Sequence, residues 1–195
     1  MKKVFISITG VLRDTYSKVA SEYRKYYIES ELEEGQEEDF VYDMVLPVTT
    51  GDLSYHFKFQ DKDEMNYFFF IEFAMEIFGH SAPVYNGVFK DLSDLIKGNE
   101  DWEVTIVSDE LGKGKPASLF FLSKNSCYVD NYKFFKKDNV GNMWNDCDLW
   151  ITTDEYILSS KPDNKKSIKV DTEYNKEVSS DYTVEKLLDI NELEL

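Results

Sequence analysis

The clearest hydrophobic pattern in this chain lies at its start. An apolar, largely β-branched run from Lys3 to Thr9 ends at Gly10, which is typical of a buried parallel strand followed by a loop. A helix is predicted from about Thr15 to Glu29, because aromatic and aliphatic residues recur at helical spacing between Val19 and Tyr27. The chain therefore begins with a strand, a turn and an amphipathic helix.

The remaining pattern alternates between strands and helices. Helices are predicted over residues 61–78, 87–97 and 117–124, strands over 102–108, 128–135, 147–153 and 167–170, and a terminal helix or tail over 184–195. Residues 40–47 are expected to be extended. Residues 29–43 hold eight acidic residues and no basic one, which favours a solvated loop over a cation-binding patch. This alternation predicts an α/β fold: a Rossmann-like, mostly parallel sheet flanked by helices.

The number of residues between the first two predicted strands determines the predicted domain organisation. Residues 13–100 are too many for one crossover connection, so we predict a helical, cap-like insertion above the carboxyl edge of the sheet. The expected division is an α/β core of residues 1–12 and 86–195 and an insertion of residues 13–85. No internal repeat is evident.

Composition and charge restrict the partners. The 195 residues are 42% hydrophobic and 15% aromatic, which is enough for a substantial core. The net charge of −16 argues against nucleic acid or an anionic membrane as a partner. We therefore expect protein partners, no nucleic acid and no membrane, and make no prediction of the oligomeric state.

Cysteine, histidine and apolar runs indicate the compartment. The two cysteines and two histidines have none of the close spacings of zinc ligands, so the sequence predicts no zinc cluster from them. Two unpaired thiols with no signal peptide predict a reducing compartment, so we expect a cytoplasmic protein. The longest apolar stretch, Tyr67 to Phe78, contains two glutamates and is too short to cross a bilayer.

Residue usage gives a further hint. Arg13 and Arg24 are the only arginines among 22 basic residues, and asparagine, tyrosine and phenylalanine are abundant. An AT-rich coding genome produces this bias, as in certain bacteria and their phages. If the chain is phage-encoded, we expect it to be assembled into the virion in the host cytoplasm.

Candidate chemistry lies where the predicted strands end. The first strand leads into Ser7-Ile8-Thr9-Gly10-Val11-Leu12, the strand after the insertion ends at Ser108, and a later strand ends at Thr152-Thr153. Lysines that could balance a phosphate charge are Lys115, Lys124 and Lys137. The turn Gly112-Lys113-Gly114-Lys115 lacks the spacing of a Walker phosphate loop and is interpreted as a basic turn.

These segments resemble the haloacid dehalogenase-like superfamily over most of the chain, particularly its short-capped branch with deoxyribonucleotidase-type members. The resemblance implies a first motif Asp-x-Asp-Gly-Val-Leu, a second-motif hydroxyl that holds phosphate, a third-motif lysine and a fourth motif of two acids that anchor magnesium. Ser108 matches the second motif. In this chain Ser7, Thr9, Thr152 and Thr153 stand where the resemblance implies aspartates or acids.

These departures remove the chemistry that the resemblance implies. Ser7 without a nearby base is a poor nucleophile, and the hydroxyl of Thr9 cannot cycle protons near neutral pH. Magnesium prefers anionic oxygens, and four of these are missing. Asp109 and Asp154 each lie one residue beyond a motif position, so a displaced metal site at Asp154 is the alternative.

The leading hypothesis is a catalytically inactive domain that acts as a structural or protein-interaction module in a larger assembly, one version being a phage virion component. It expects no cofactor and no catalytic residue. The first alternative is a magnesium-dependent phosphatase or 5′-nucleotidase-like hydrolase with a displaced metal site. The second is a non-hydrolysing nucleotide- or phosphate-binding module that uses Ser108 with Lys115 or Lys124.

Overall fold

A six-stranded, all-parallel sheet forms the centre of the computed structural model, which describes residues 1–29 and 41–194. Its strands are β1 (Lys2–Ser7), β2 (Trp102–Ser108), β3 (Asn131–Phe134), β4 (Leu149–Thr152), β5 (Lys166–Val170) and β6 (Tyr182–Val184). Their order across the sheet is β3-β2-β1-β4-β5-β6. The predicted α/β class and parallel sheet are confirmed.

The strand order reverses between β1 and β4. β1 pairs with β2 along its whole length, from Lys2 opposite Trp102 to Ser7 opposite Val107, and with β4 on its other side. In open parallel sheets, the carboxyl ends of the strands at such a reversal border a crevice. The topology thus brings the ends of β1, β2 and β4 to one edge.

Alternating side chains of β1 pack into two cores, one on each face of the sheet. Val4 and Ile6 belong to a large aliphatic core that also contains Leu92 and Phe121. Phe5 faces the other way and packs edge-on against the indole of Trp150, with ring centroids 5.4 Å apart. Both faces are therefore apolar, which explains the continuous hydrophobic run of this strand.

Helices cover both faces of the sheet and fill the segment between β1 and β2. The α-helices are α1 (Thr15–Tyr23), α2 (Leu53–His56), α3 (Lys62–Tyr67), α4 (Val88–Gly98), α5 (Gly114–Lys124), α6 (Val140–Asn145) and α7 (Glu155–Ser159). Three π-helical segments (Arg24–Ile28, Phe68–Glu72 and Met75–Gly79) and two 3₁₀ segments (Lys137–Asn139 and Leu187–Glu192) complete the set. Within the described residues, none of these helices has the length and apolarity to cross a membrane.

An aromatic cluster organises the segment between β1 and β2. Tyr23, Phe57 and Phe68 are buried there, and the ring centroids of Tyr23 and Phe57 lie 5.3 Å apart. Ala117 of α5 belongs to the same cluster, so the segment packs on a helix of the sheet region. The division at residues 12 and 86 stays a prediction.

Local structure differs from the predicted elements at several places, and the short helices α2, α6 and α7 were not predicted. The helix expected over residues 61–78 is interrupted after Tyr67, because the aromatic run that follows adopts two π-helical segments around Phe73. β6 was not predicted, since only Val184 of its three residues is buried. No strand forms over residues 41–47, although Met44 makes an isolated bridge to Phe57. Residues 30–40, with most of the acidic stretch, lie outside the described residues.

Candidate functional site

A cavity of about 610 Å³ lies at the carboxyl edge of the sheet. Its lower wall is built by the strand ends, with Ser7, Ser108 and Thr152 among the lining residues. Its upper wall comes from the segment between β1 and β2, through residues such as Leu53 of α2 and Asn66 of α3. The five motif residues Ser7, Thr9, Ser108, Thr152 and Thr153 all line this cavity.

The hydroxyl of Ser7 is held by hydrogen bonds on both sides. Its Oγ donates to Oγ1 of Thr152 at 2.9 Å and accepts from Nε1 of Trp150 at 3.0 Å. Thr152 Oγ1 also accepts from the backbone N–H of Asp154 at 3.1 Å. This chain of bonds ties the ends of β1 and β4 together and gives Ser7 no basic partner.

Thr153 has a structural contact to the loop after β1. Its hydroxyl donates to the carbonyl of Thr9 at 3.1 Å, and its own carbonyl accepts from Nδ2 of Asn175 at 3.1 Å. Gly10 has a φ of +75°, and a Cβ there would collide with the side chains of Thr153 and Tyr174. Only glycine fits this loop without strain.

Arg13 connects the two walls of the cavity. Its side chain is fully buried and forms an ion pair with Glu110, which follows β2. The guanidinium nitrogens also donate to Oγ1 of Thr15 at 2.9 Å, Oγ of Ser118 at 2.6 Å, the carbonyl of Phe78 at 3.0 Å and Oγ1 of Thr9 at 3.1 Å. The hydroxyl of Thr9 therefore already accepts a hydrogen bond from the buried guanidinium of Arg13.

Asp109 lines the cavity directly after β2. Burial, followed by the negative charges of Glu110 and Asp154, raises its pKa from the ordinary 3.8 to about 6, although Lys137 acts in the opposite direction. Among the described residues, no lysine or arginine forms an ion pair with Asp109.

Asp154 is occupied by structural contacts on both oxygens. Oδ1 caps α7 by accepting from the backbone N–H groups of Tyr156 and Ile157, at 2.8 and 3.0 Å. Oδ2 lies 3.3 Å from Nζ of Lys137. In residues 1–29 and 41–194, no group of three or more His, Cys, Asp and Glu side chains is arranged to hold a metal ion.

The three candidate lysines lie in different places. Lys137 borders the cavity, whereas Lys115 and Lys124 on α5 do not. The ammonium of Lys115 instead lies 6.0 Å from the ring centroid of Phe134. Of these three lysines, Lys137 alone lines the cavity together with Ser108.

Sequence reasoning missed the long-range contacts of the site. Arg13 and Glu110 are 97 residues apart, and their pairing follows only from the sheet topology. Asn175, fully buried, donates to the carbonyls of Thr153 and Val170. The one available signal was Arg13 itself, a rare arginine directly after an apolar turn.

No protein-family model and no curated protein matches the sequence. Among solved structures, a haloacid dehalogenase-like hydrolase from Burkholderia xenovorans LB400 superposes with a TM-score of 0.59 at 12% identity, covering 99% of this chain and 96% of its own. The L-2-haloacid dehalogenase of Xanthobacter autotrophicus, with chloropropionic acid covalently bound, gives a TM-score of 0.52 at 10% identity, covering 99% and 98%. A dehalogenase with an intermediate complex gives a TM-score of 0.55 at 10% identity, covering 97% and 95%.

These similarities concern the fold alone, because identities of 10–12% do not show which substrate this chain binds or which reaction it catalyses. The more specific resemblance to the deoxyribonucleotidase-type branch stays a prediction. The chain superposes on these structures over nearly its whole length, and its sheet is parallel with the strand order given above. The chain therefore has the haloacid dehalogenase-like fold.

Proposed function

We propose that this chain is a catalytically inactive domain of the haloacid dehalogenase-like fold that works by binding. The observation that carries the proposal is the bonding of Ser7, whose hydroxyl donates to Thr152 and accepts from Trp150. A serine nucleophile needs a neighbouring base to take its proton. Neither of these two partners can act as that base near neutral pH.

The residues at the site also do not suit magnesium. Magnesium requires several hard, preferably anionic oxygens in octahedral geometry. Ser7, Thr9, Thr152 and Thr153 offer neutral hydroxyls that are already hydrogen-bonded. The two oxygens of Asp154 are engaged by the start of α7 and by Lys137. We therefore infer that no metal-dependent hydrolysis takes place here.

The interaction role in a larger assembly remains part of the proposal. Large apolar side chains are exposed at several places on the surface, among them Tyr67, Phe120 and Tyr128, the last with 87% of its surface accessible. Aromatic side chains are enriched in protein interfaces. A virion component is the version suggested by residue usage. The chain from its native source should migrate in a complex much larger than 22.8 kDa, and elution as a monomer would contradict this role.

The hydrolase alternative is tested by a turnover assay. The purified chain is incubated with p-nitrophenyl phosphate, nucleoside monophosphates or 2-chloropropionate, each with and without magnesium. We expect no release of phosphate or chloride above that of the buffer. Magnesium-dependent release that is abolished in both Asp109→Asn and Asp154→Asn would establish a displaced metal site and overturn the proposal. Release abolished by Ser7→Ala would overturn it equally.

The phosphate-binding alternative predicts thermal stabilisation by nucleotides without turnover. Ser108 and Lys137 both border the cavity, so this outcome has a structural basis. A nucleotide-dependent rise in melting temperature that disappears in Lys137→Met, with no product formed, would support that alternative over a purely structural role.

A further inference from the structure

We propose that the 610 Å³ cavity binds an organic cation with an apolar body, such as a quaternary or primary ammonium compound, and not a phosphate ester. This inference rests on the proposed role of the domain as a binding module. It assigns the class of ligand from the charge and the lining of the cavity.

The charged residues that line the cavity are mostly acidic. They are Asp52, Asp61, Asp109, Glu110 and Asp154, against Lys62 and Lys137. A phosphate would meet more carboxylates than ammonium groups in a partly enclosed space, where like charges repel strongly. The same field favours a cation.

Two carboxylates of the lower wall could accept a further hydrogen bond or pair with a positive charge. Asp109 has no ion-pair partner among the described lysines and arginines, and burial with the nearby charges of Glu110 and Asp154 raises its pKa. Glu110 is 3% exposed, and its Oε2 has no hydrogen-bond partner in the part of the chain that the structure describes, although Arg13 binds its Oε1. A buried acceptor without a donor is costly, and a ligand N–H or a positive charge would relieve that cost.

Aromatic rings form much of the apolar lining. The phenylalanines that line the cavity are Phe57, Phe59, Phe69, Phe70, Phe78 and Phe135. Aromatic faces attract cations, most strongly when the cation is desolvated, as in the binding of quaternary ammonium ligands. The volume lies within the range typical of small-molecule sites. In a ligand with one positive charge and an apolar group, the charge would lie near the carboxylates and the apolar group would pack against the phenylalanines.

The test uses isothermal titration calorimetry on the full chain at about pH 8, where Asp109 is ionised. Benzyltrimethylammonium is the cationic probe, benzyl alcohol the neutral probe of similar shape, and inorganic phosphate the anionic probe. We expect the cation to bind at least about tenfold more tightly than the alcohol, and phosphate to show no saturable binding.

Variants locate the binding site. Asp109→Asn should weaken binding of the cation by about tenfold, and Phe70→Leu by about fivefold, through loss of one charge and of one aromatic face. The matched control is Asp101→Asn, which removes the same charge from an exposed residue just before β2, at the opposite edge of the sheet. It should leave the affinity unchanged.

The inference is overturned if the cation and the alcohol bind equally, if neither binds, or if Asp109→Asn binds the cation as well as the wild type does. Saturable phosphate binding without cation binding would overturn it in favour of the phosphate module. These outcomes leave the absence of hydrolysis untouched, because turnover is measured separately. Conversely, hydrolysis in the turnover assay would overturn the proposed function whatever the titrations show.

Discussion

The hydroxyl of Ser7 donates a 2.9 Å hydrogen bond to the hydroxyl of Thr152, across the point at which the strand order of the sheet reverses. Both residues are buried, with 8% and 0% of their surfaces exposed. The bond joins the carboxyl ends of β1 and β4. At the position where the sequence resemblance implies an aspartate, this chain has a bond that holds two strands together.

Ser7→Ala is therefore expected to reduce stability. The substitution leaves Nε1 of the buried Trp150 without its acceptor and Thr152 without its donor, which should lower the free energy of unfolding by about 1–3 kcal/mol. Urea denaturation followed by tryptophan fluorescence measures the change. The matched control is Ser159→Ala at the exposed end of α7, expected within about 0.5 kcal/mol of the wild type. Equal effects of the two substitutions would mean that the Ser7 network contributes nothing to stability.

The Arg13–Glu110 ion pair predicts strong coupling between two distant positions. Arg13→Met leaves the charge of Glu110 buried and without a partner, at an expected cost of about 3–5 kcal/mol. Adding Glu110→Gln removes that charge and should recover about 1–3 kcal/mol, although the bonds of Arg13 to Thr9, Thr15 and Ser118 stay lost.

A double-mutant cycle of urea unfolding free energies measures this coupling. If Arg13→Met does not fold, Arg13→Lys takes its place, since it keeps the charge and loses the forked geometry. The two single effects should not add, and the coupling should exceed about 1 kcal/mol. Additive single effects would show that the pair does not act as a unit.

The meeting of the motif residues could be predicted from the sequence, because the carboxyl ends of parallel strands lie at the same edge of a sheet. Strand β1 was recognised from its apolar run, and Ser7, Thr9, Ser108, Thr152 and Thr153 were expected to meet; all five line the cavity. The apolar pattern sufficed because both faces of β1 are buried.

The details that decide the chemistry could not be predicted. Whether the hydroxyl of Ser7 is free or bonded depends on Trp150 and Thr152, more than 140 residues away. Lys137 could not be chosen over Lys115 or Lys124 from the sequence, since a lysine has no periodic signature and only the folded structure shows which of the three lines the cavity. The interruption of the helix after Tyr67 likewise accompanies tertiary packing, in which the ring centroid of Phe73 lies 4.8 Å from that of Tyr26, and this packing overrides local helical preference.

Asp109 predicts a dependence of stability on pH. Its pKa in the folded state is raised to about 6 by burial and by Glu110 and Asp154, with Lys137 opposing and Tyr16 also nearby. The folded state therefore binds this proton more tightly than the unfolded chain, and ionisation of Asp109 opposes folding as pH rises from about 4 to above 6.

Asp109→Asn should accordingly be more stable than the wild type at about pH 8, by about 1–3 kcal/mol. The difference should shrink towards zero at about pH 4, where the wild-type carboxyl is protonated. Urea denaturation of both proteins at the two pH values measures it, and the other carboxylates cancel in the comparison. A difference that does not change with pH would show that Asp109 is solvated normally.

Lys137→Met distinguishes the two ligand classes with one substitution. The ammonium of Lys137 lies 3.3 Å from Asp154 and 5.7 Å from the ring centroid of Tyr156 at the border of the cavity. Removing it takes away a positive charge and releases Asp154, so benzyltrimethylammonium should bind about threefold to tenfold more tightly. Lys115→Met is the control, because Lys115 does not border the cavity, and it should not change the affinity. Weaker binding of the cation by Lys137→Met, or loss of a measurable phosphate affinity in that variant alone, would show that the cavity is built for an anion.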